Sequence, residues 1–316
     1  MASELPPAPP RKGRGASFNP KVRFESTQLD PFDDGWGSLA EVRAEAPAPA
    51  TEVRADASRS VIVRNASPDI PFEQSINPYR GCEHGCIYCY ARPSHAYLGL
   101  SPGLDFETKI YAKLDAGPLL ERELARPGYR CQPIALGSNT DPYQPQERKL
   151  CITRAILEVL ARCRHPVTIV TKSAAVSRDL DLLAPMAADG LAGVAISITT
   201  LDSALARTLE PRAAAPHRRL EALRAVSAAG VPTTVLVAPI IPGLNDHELE
   251  GVLEAAATAG ATHAGYVLLR LPHELRELFT AWLKAHAPLR AQHVLTLIRQ
   301  CRGGRLNEPK FGSRMR

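Results

Sequence analysis

The chain has 316 residues, 45% hydrophobic and 22% charged, with seven cysteines and a formal net charge of +5. This length supports one large α/β domain with an appendage. No run reaches the roughly 18 apolar residues of a membrane helix, and the start Met1-Ala2-Ser3-Glu4-Leu5-Pro6-Pro7 lacks the basic-then-apolar pattern of an export signal. An odd cysteine count argues against a fully paired disulfide framework and for a reducing cytoplasm.

Residues 1–58 read as a largely disordered segment. They hold Pro-Pro-Ala-Pro-Pro at 6–10 and Ala-Pro-Ala-Pro-Ala at 46–50, with few branched apolar side chains to offset the entropy of ordering. Phe18 to Phe24, or Trp36, are the parts placed to dock on a folded body. From about residue 59 to 288, short branched-apolar runs alternate with longer amphipathic ones. The predicted strands are Ser75–Tyr79, Pro133–Gly137, Val167–Thr171, Gly193–Ile198, Thr233–Val237 and Gly265–Leu269, apolar on both faces as buried parallel strands are. The predicted helices are Arg148–Cys163, Ser177–Ala188, Pro216–Ala229, Asp246–Ala259 and His273–His286, with Gly230 and Gly260 placed to end two of them. Six β/α units predict an α/β fold, a partial (β/α)6 barrel, with a doubly wound open sheet as the alternative. Either arrangement puts ligands in the loops at the carboxyl ends of the strands.

After the first predicted strand the chain reads Cys82-Glu83-His84-Gly85-Cys86-Ile87-Tyr88-Cys89-Tyr90, a C-x3-C-x2-C spacing. Three thiolates from one loop can converge on one centre. A closed structural zinc site needs a fourth protein ligand, for which His84 or His95 is available, but no second cysteine pair follows. An iron–sulfur cluster held by three cysteines leaves one iron open to a small molecule. Later strand ends carry polar groups in register: Ser138-Asn139 after strand two, Lys172 after strand three and Ser197 at strand four. A lysine after an apolar strand is costly unless its charge is matched, and a cofactor carboxylate would match it.

The cysteine spacing and the aromatic Tyr88 before the third cysteine resemble the radical S-adenosylmethionine (SAM) superfamily. The resemblance implies a [4Fe-4S] cluster on Cys82, Cys86 and Cys89, SAM chelating the open iron, and an external one-electron reductant of flavodoxin or ferredoxin type. Reductive cleavage would then yield a 5′-deoxyadenosyl radical that abstracts a substrate hydrogen. A finer resemblance is to the spore photoproduct lyase branch, through Ser138, Lys172 and Ser197 on consecutive strand ends and through the tyrosines Tyr88 and Tyr90. It implies SAM contacts from Tyr88, Ser138, Asn139, Lys172 and Ser197 and catalytic roles for Tyr88 and Tyr90. The segment Ala238–Asp246 resembles the family's proline/glycine stretch beside adenine, with Ile241 offering an apolar face. The branch's hydrogen-donor cysteine directly precedes the first serine, and that position is Gly137 in this chain.

Several residues keep two readings. Glu210-Pro211-Arg212 is a helix-end turn or a contact to SAM or substrate through Arg212. Arg80 and Glu83 either balance cluster charge or form a surface pair, and His95 is a loop residue or faces substrate. Cys151 and Cys163 read as small buried residues of one helix. Residues 289–316 read as a basic helix and tail. Residues 290–316 carry seven positive side chains and one negative, a local +6, so the other 289 residues sum to −1. Such a tail either contacts the phosphates of DNA or RNA or is solvated, and deleting 302–316 would separate the two. Three functions therefore stand: a radical SAM enzyme on nucleic acid, one on a peptide or small molecule, and a non-catalytic zinc module. None involves a membrane.

Overall fold

Ten strands and ten α-helices form in the computed structural model, which describes residues 9–25 and 49–307. The strands are β1 (Glu52–Ala55), β2 (Val63–Arg64), β3 (Gln74–Ile76), β4 (Tyr79–Arg80), β5 (Lys109–Ala112), β6 (Ile134–Leu136), β7 (Val167–Thr171), β8 (Ala192–Ser197), β9 (Thr233–Ile240) and β10 (His263–Leu268). The helices are α1 (Leu104–Thr108), α2 (Ala116–Leu124), α3 (Glu147–Leu150), α4 (Ile152–Arg162), α5 (Leu180–Ala188), α6 (Ser203–Leu209), α7 (Pro216–Ala228), α8 (Leu249–Thr258), α9 (Leu275–His286) and α10 (Ala291–Cys301).

The main sheet has the order β10-β9-β8-β7-β6-β3-β2. Its first six members are parallel, and only β2 runs antiparallel, against β3. These are the six strands expected of a partial (β/α)6 barrel. The sheet does not close, because β10 pairs only with β9 and β2 only with β3. Val167, Ile169, Val194, Ile196, Val235 and Val237 point into a core completed by Ile156, Leu157, Leu160, Leu183, Leu223 and Val252 from the helices. No helix among the described residues is long and apolar enough to cross a membrane.

The first predicted strand is in fact two. β3 belongs to the main sheet, and after Asn77-Pro78 the chain leaves it, so that β4 pairs antiparallel with β5 in a small sheet ordered β1-β5-β4. Proline has no N–H for the ladder, which breaks the strand at Pro78. The long helix expected at 148–163 is also two, α3 and α4, joined at Cys151 with φ 52°. Buried Glu147 explains the break: its carboxylate accepts from the backbone N–H of Thr153 at 3.0 Å and Arg154 at 3.3 Å, capping α4 from the preceding turn. Cys151 and Cys163 are exposed, not buried, because they sit at the two ends of α4.

Residues 9–25 lie against the body with Arg14, Ala16 and Val22 buried, so the docking expected of Phe18 to Phe24 extends to earlier residues of a segment that reads as largely disordered. Trp36 falls outside the described residues, as do 308–316 of the tail. The remainder of the basic segment is packed: α10 buries Val294, Leu295 and Ile298 in a second core with α9. Arg302, expected in a flexible tail, is buried and donates to the carbonyls of Leu269 at 2.8 Å and Leu268 at 2.6 Å, holding the end of β10.

Candidate cofactor site

The cysteine loop starts where β4 ends. Cys82 and Cys86 are buried and Cys89 half-buried. Their side chains pack into two adjoining apolar clusters, Cys82 and Cys89 against Ala91 and Phe106, Cys86 against Ile87, Tyr88 and Leu209. Burial pushes all three thiols above the usual range, and mutual proximity adds to this at Cys82 and Cys86. Gathering three thiols in a dry pocket is unfavourable for free thiolates and favourable for thiolates bound to cationic iron. The donor set therefore fits a three-cysteine cluster. Among the described residues, no group of three or more His, Cys, Asp or Glu is gathered as a single metal ion requires.

Above this loop stand the ends of β6, β7 and β8. Lys172, directly after β7, donates from Nζ to Ser197 Oγ at 2.6 Å and to the Ala238 carbonyl at 3.4 Å. Its Nζ also lies 5.8 Å from the centroid of the Tyr88 ring. Burial lowers the Lys172 pKa, opposed by the Cys86 thiol. The structure thus brings Tyr88, Lys172 and Ser197 together beside the cysteine loop. Ser138 and Asn139 reach the same face from β6 through Asn77, whose side chain donates to Ser138 Oγ at 3.2 Å and accepts from the Asn139 N–H at 2.8 Å. Tyr90, exposed, donates from its hydroxyl to the Ser138 carbonyl, and Arg270 lies over its ring at 5.1 Å. Ile241 is fully buried and packs in the cluster with Cys86 and Tyr88. Arg212 sits on the other flank, 3.2 Å from Glu83 Oε1, with its own N–H donating to the His84 carbonyl at 3.2 Å.

Two carboxylates missed as functional residues, half-buried Asp141 and buried Glu210, organise this face. Asp141 accepts from the Lys172 N–H at 2.7 Å, Thr171 Oγ1 at 2.7 Å and the Tyr143 N–H at 2.9 Å, with His84 Nδ1 at 3.3 Å. Burial opposes its ionisation, but His84 and these donors hold its pKa at about 2. Glu210 receives the Tyr88 hydroxyl, Thr199 Oγ1 at 2.6 Å and the Arg219 guanidinium, itself bonded to the Ser197 carbonyl at 3.0 Å. Asp141 thus fixes the β7 end and Glu210 fixes Tyr88 and β8. Both stand in the motifs Asn-Thr-Asp-Pro-Tyr and Glu-Pro-Arg, but their partners are distant in sequence.

Other expectations resolve differently. His95 does not face a substrate cavity: it is buried, its Nε2 is 3.0 Å from the Lys109 carbonyl, and burial lowers its pKa to about 4. Arg80 forms a surface pair with Asp56 at 2.6 Å. Gly137 has φ 89°, and a Cβ built on it would overlap the Val170 carbonyl and lie 2.6 Å from Pro142 Cδ. The backbone at that position has no room for a cysteine.

An open six-stranded parallel sheet with a three-cysteine loop at its carboxyl end defines the class. The chain belongs to the radical SAM superfamily, whose model matches residues 76–256; the cofactors of that family are a [4Fe-4S] cluster and SAM. Uncharacterised proteins of Mycobacterium tuberculosis and Mycobacterium bovis are 40% identical over 223 residues, 70% of this chain and 66% of theirs. The chain thus matches just under two thirds of those relatives' length. An uncharacterised protein of Methanocaldococcus jannaschii is 28% identical over 55% of this chain and 62% of its own. Among solved structures, spore photoproduct lyase complexed with dinucleoside spore photoproduct has a TM-score of 0.52 at 17% identity, covering 74% of this chain and 65% of that one. A mutant of that lyase with bound SAM scores 0.51 at 18% identity, covering 73% and 65%. These structures share the fold.

Proposed function

We propose that Cys82, Cys86 and Cys89 hold a [4Fe-4S] cluster and that the ends of β6, β7 and β8 hold SAM beside it, for radical chemistry on nucleic acid. When bound, the pair supplies a 5′-deoxyadenosyl radical, formed with one electron from an external flavodoxin- or ferredoxin-type donor, to abstract a substrate hydrogen. The observation that carries this reading is the convergence of the three-thiol loop with Lys172 and Ser197. The Lys172 ammonium matches a carboxylate, exchanging its bonds to Ser197 and the Ala238 carbonyl for it. Ser138, Asn139 and Ser197 supply short polar contacts, Tyr88 forms a wall fixed by Glu210, and Ile241 gives apolar packing behind the cysteine loop. Arg212 steadies that loop through Glu83. With no thiol possible at Gly137, Tyr90, a partly exposed side chain whose hydroxyl rests on the Ser138 carbonyl, stands beside the strand ends, and we assign it hydrogen transfer to or from substrate.

The nucleic-acid reading draws support from the dinucleoside ligand of a structural neighbour and from the basic tail. A peptide or small molecule is the second reading, favoured by the exclusion of the donor cysteine. The test is anaerobic reconstitution with iron and sulfide. About four irons per chain are expected, lost in the Cys82/Cys86/Cys89→Ala variant, with 5′-deoxyadenosine released from SAM on reduction by dithionite. DNA, RNA and peptide arms then compare turnover, and a rise with DNA or RNA alone decides for nucleic acid. A colourless zinc protein that leaves SAM intact would overturn the reading.

A further inference from the structure

The family model begins at residue 76, yet residues 10–23 pack directly against the cysteine loop. Gly15 lies flat on Gly85, between the first two cysteines. A Cβ on Gly15 would overlap the Gly85 carbonyl and lie 3.0 Å from its carbon and 3.3 Å from an Arg92 nitrogen. Ala16, buried, packs in the cluster that contains Cys86, Ile87 and Tyr88. Side-chain hydrogen bonds reinforce this approach. The Glu107 carboxylate accepts from the Gly15 N–H at 3.1 Å and the Ala16 N–H at 2.8 Å, and it pairs with buried Arg92 at 2.5 Å. Arg92 in turn donates to the carbonyls of Cys86 at 2.8 Å and Gly85 at 3.0 Å. Arg14 donates to the Glu107 carbonyl at 3.0 Å and to Thr51 Oγ1 at 3.2 Å, and Thr51 donates to Glu83 Oε1 at 2.5 Å. Farther along, Asn19 bonds Asp105 at 3.1 Å and Arg23 pairs with Glu274 at 2.7 Å.

We propose that residues 10–23 are a strap that closes the back of the cysteine loop and shields its three thiols from solvent, with Arg14 and Gly15 as positioning residues. Glu107 is buried and would carry unmet charge-assisted bonds if the strap left, because two of its partners are strap amides. The ion pair with Arg92 alone leaves the Gly85 side of that carboxylate open. The inference rests on the proposed cluster only for its use; the shielding itself is a property of the protein without iron.

The test compares wild type, Gly15→Val, Arg14→Ala and a chain lacking residues 1–25. In the iron-free protein, iodoacetamide labelling of Cys82, Cys86 and Cys89 is followed by mass spectrometry, with exposed Cys131 and Cys163 as internal references. Labelling of the three is expected to rise about tenfold or more in Gly15→Val and in the truncated chain, through local opening, with the references unchanged. In the reconstituted protein, loss of visible absorbance to an iron chelator should accelerate by a similar factor. Equal labelling and equal chelation in all four proteins would overturn the strap. Absence of iron from wild type would instead strike the cluster, leaving the labelling result to decide the strap. Circular dichroism and thermal melting identify a variant that has unfolded, and Arg14→Ala, which introduces no clash, then decides.

Discussion

Single residues set what this site can do. At Gly137 the left-handed φ and the Val170 carbonyl leave no space for a side chain. Gly137→Cys is therefore expected to destabilise the protein by about 2–3 kcal/mol, from a strained φ and a steric clash, rather than install a hydrogen donor; urea unfolding measures this. At Glu210 a buried carboxylate joins Tyr88, Thr199 and Arg219. Glu210→Ala leaves Arg219 buried without its partner, a loss of about 3–5 kcal/mol, and calorimetry of SAM binding should show weaker affinity as Tyr88 and Ser197 lose their support. Glu210→Gln keeps the acceptor and should fall between. The three cysteines, Lys172 and Ser197 were legible because cysteine spacing and a lysine at a strand end are local signals. Asp141 and Glu210 were not, since each holds partners far along the chain, Lys172 31 residues from Asp141 and Tyr88 122 from Glu210, that only the folded sheet brings near.

Elements follow from periodicity where they are regular and from single punctuating residues where they are not. The six parallel strands and the helices α7, α8 and α9 appear close to their expected bounds, although β10, expected to be buried on both faces, is an edge strand with His263, Ala264 and Tyr266 exposed. The small β1-β5-β4 sheet was invisible: β1 is exposed along its length and β4 has two residues, so neither carries an apolar signature. The split at Pro78 and the Glu147 cap on α4 act through one residue each. The basic segment likewise divides at element scale. Arg302 belongs to the end of β10, so deletion from 302 removes a structural tie along with the charge. Deletion of 308–316 alone should leave the melting temperature within about 2 °C while weakening salt-sensitive DNA or RNA binding, if the tail makes phosphate contacts. Arg302→Ala should instead lower the melting temperature by several degrees, on the order of 1–3 kcal/mol for the buried carbonyls it leaves unpaired. Filter binding across salt concentrations and a thermal melt separate the two.

At the scale of the molecule, buried titrating groups predict an acid limit. His95 titrates near 4 when folded, against about 6.5 when free. Its folded pKa is depressed, so its contribution is complete above about 6.5 and disappears as pH falls toward 4. His165 and His286, also lowered by burial, act in the same direction. Below that, Asp141, held at about 2, adds a second loss as pH falls from about 4. Urea midpoints should therefore decline from pH 7 to 4, and His95→Gln should flatten that decline by on the order of 2–3 kcal/mol.

The second core has a consequence for modularity. Its members include Ala16, the cysteine-loop residues Cys86, Ile87 and Tyr88, then Leu104, Leu209, Ile241 and Leu244, and residues 269 to 298, so segments on both sides of the 76–256 match pack in one core with that loop. A fragment cut at the limits of the match would lose β10 and all of β3 but Ile76, and with them the apolar roof over Cys86 and Tyr88. The unit that folds around the thiols is longer than the 76–256 match, and the limits of that match do not mark where this protein can be divided.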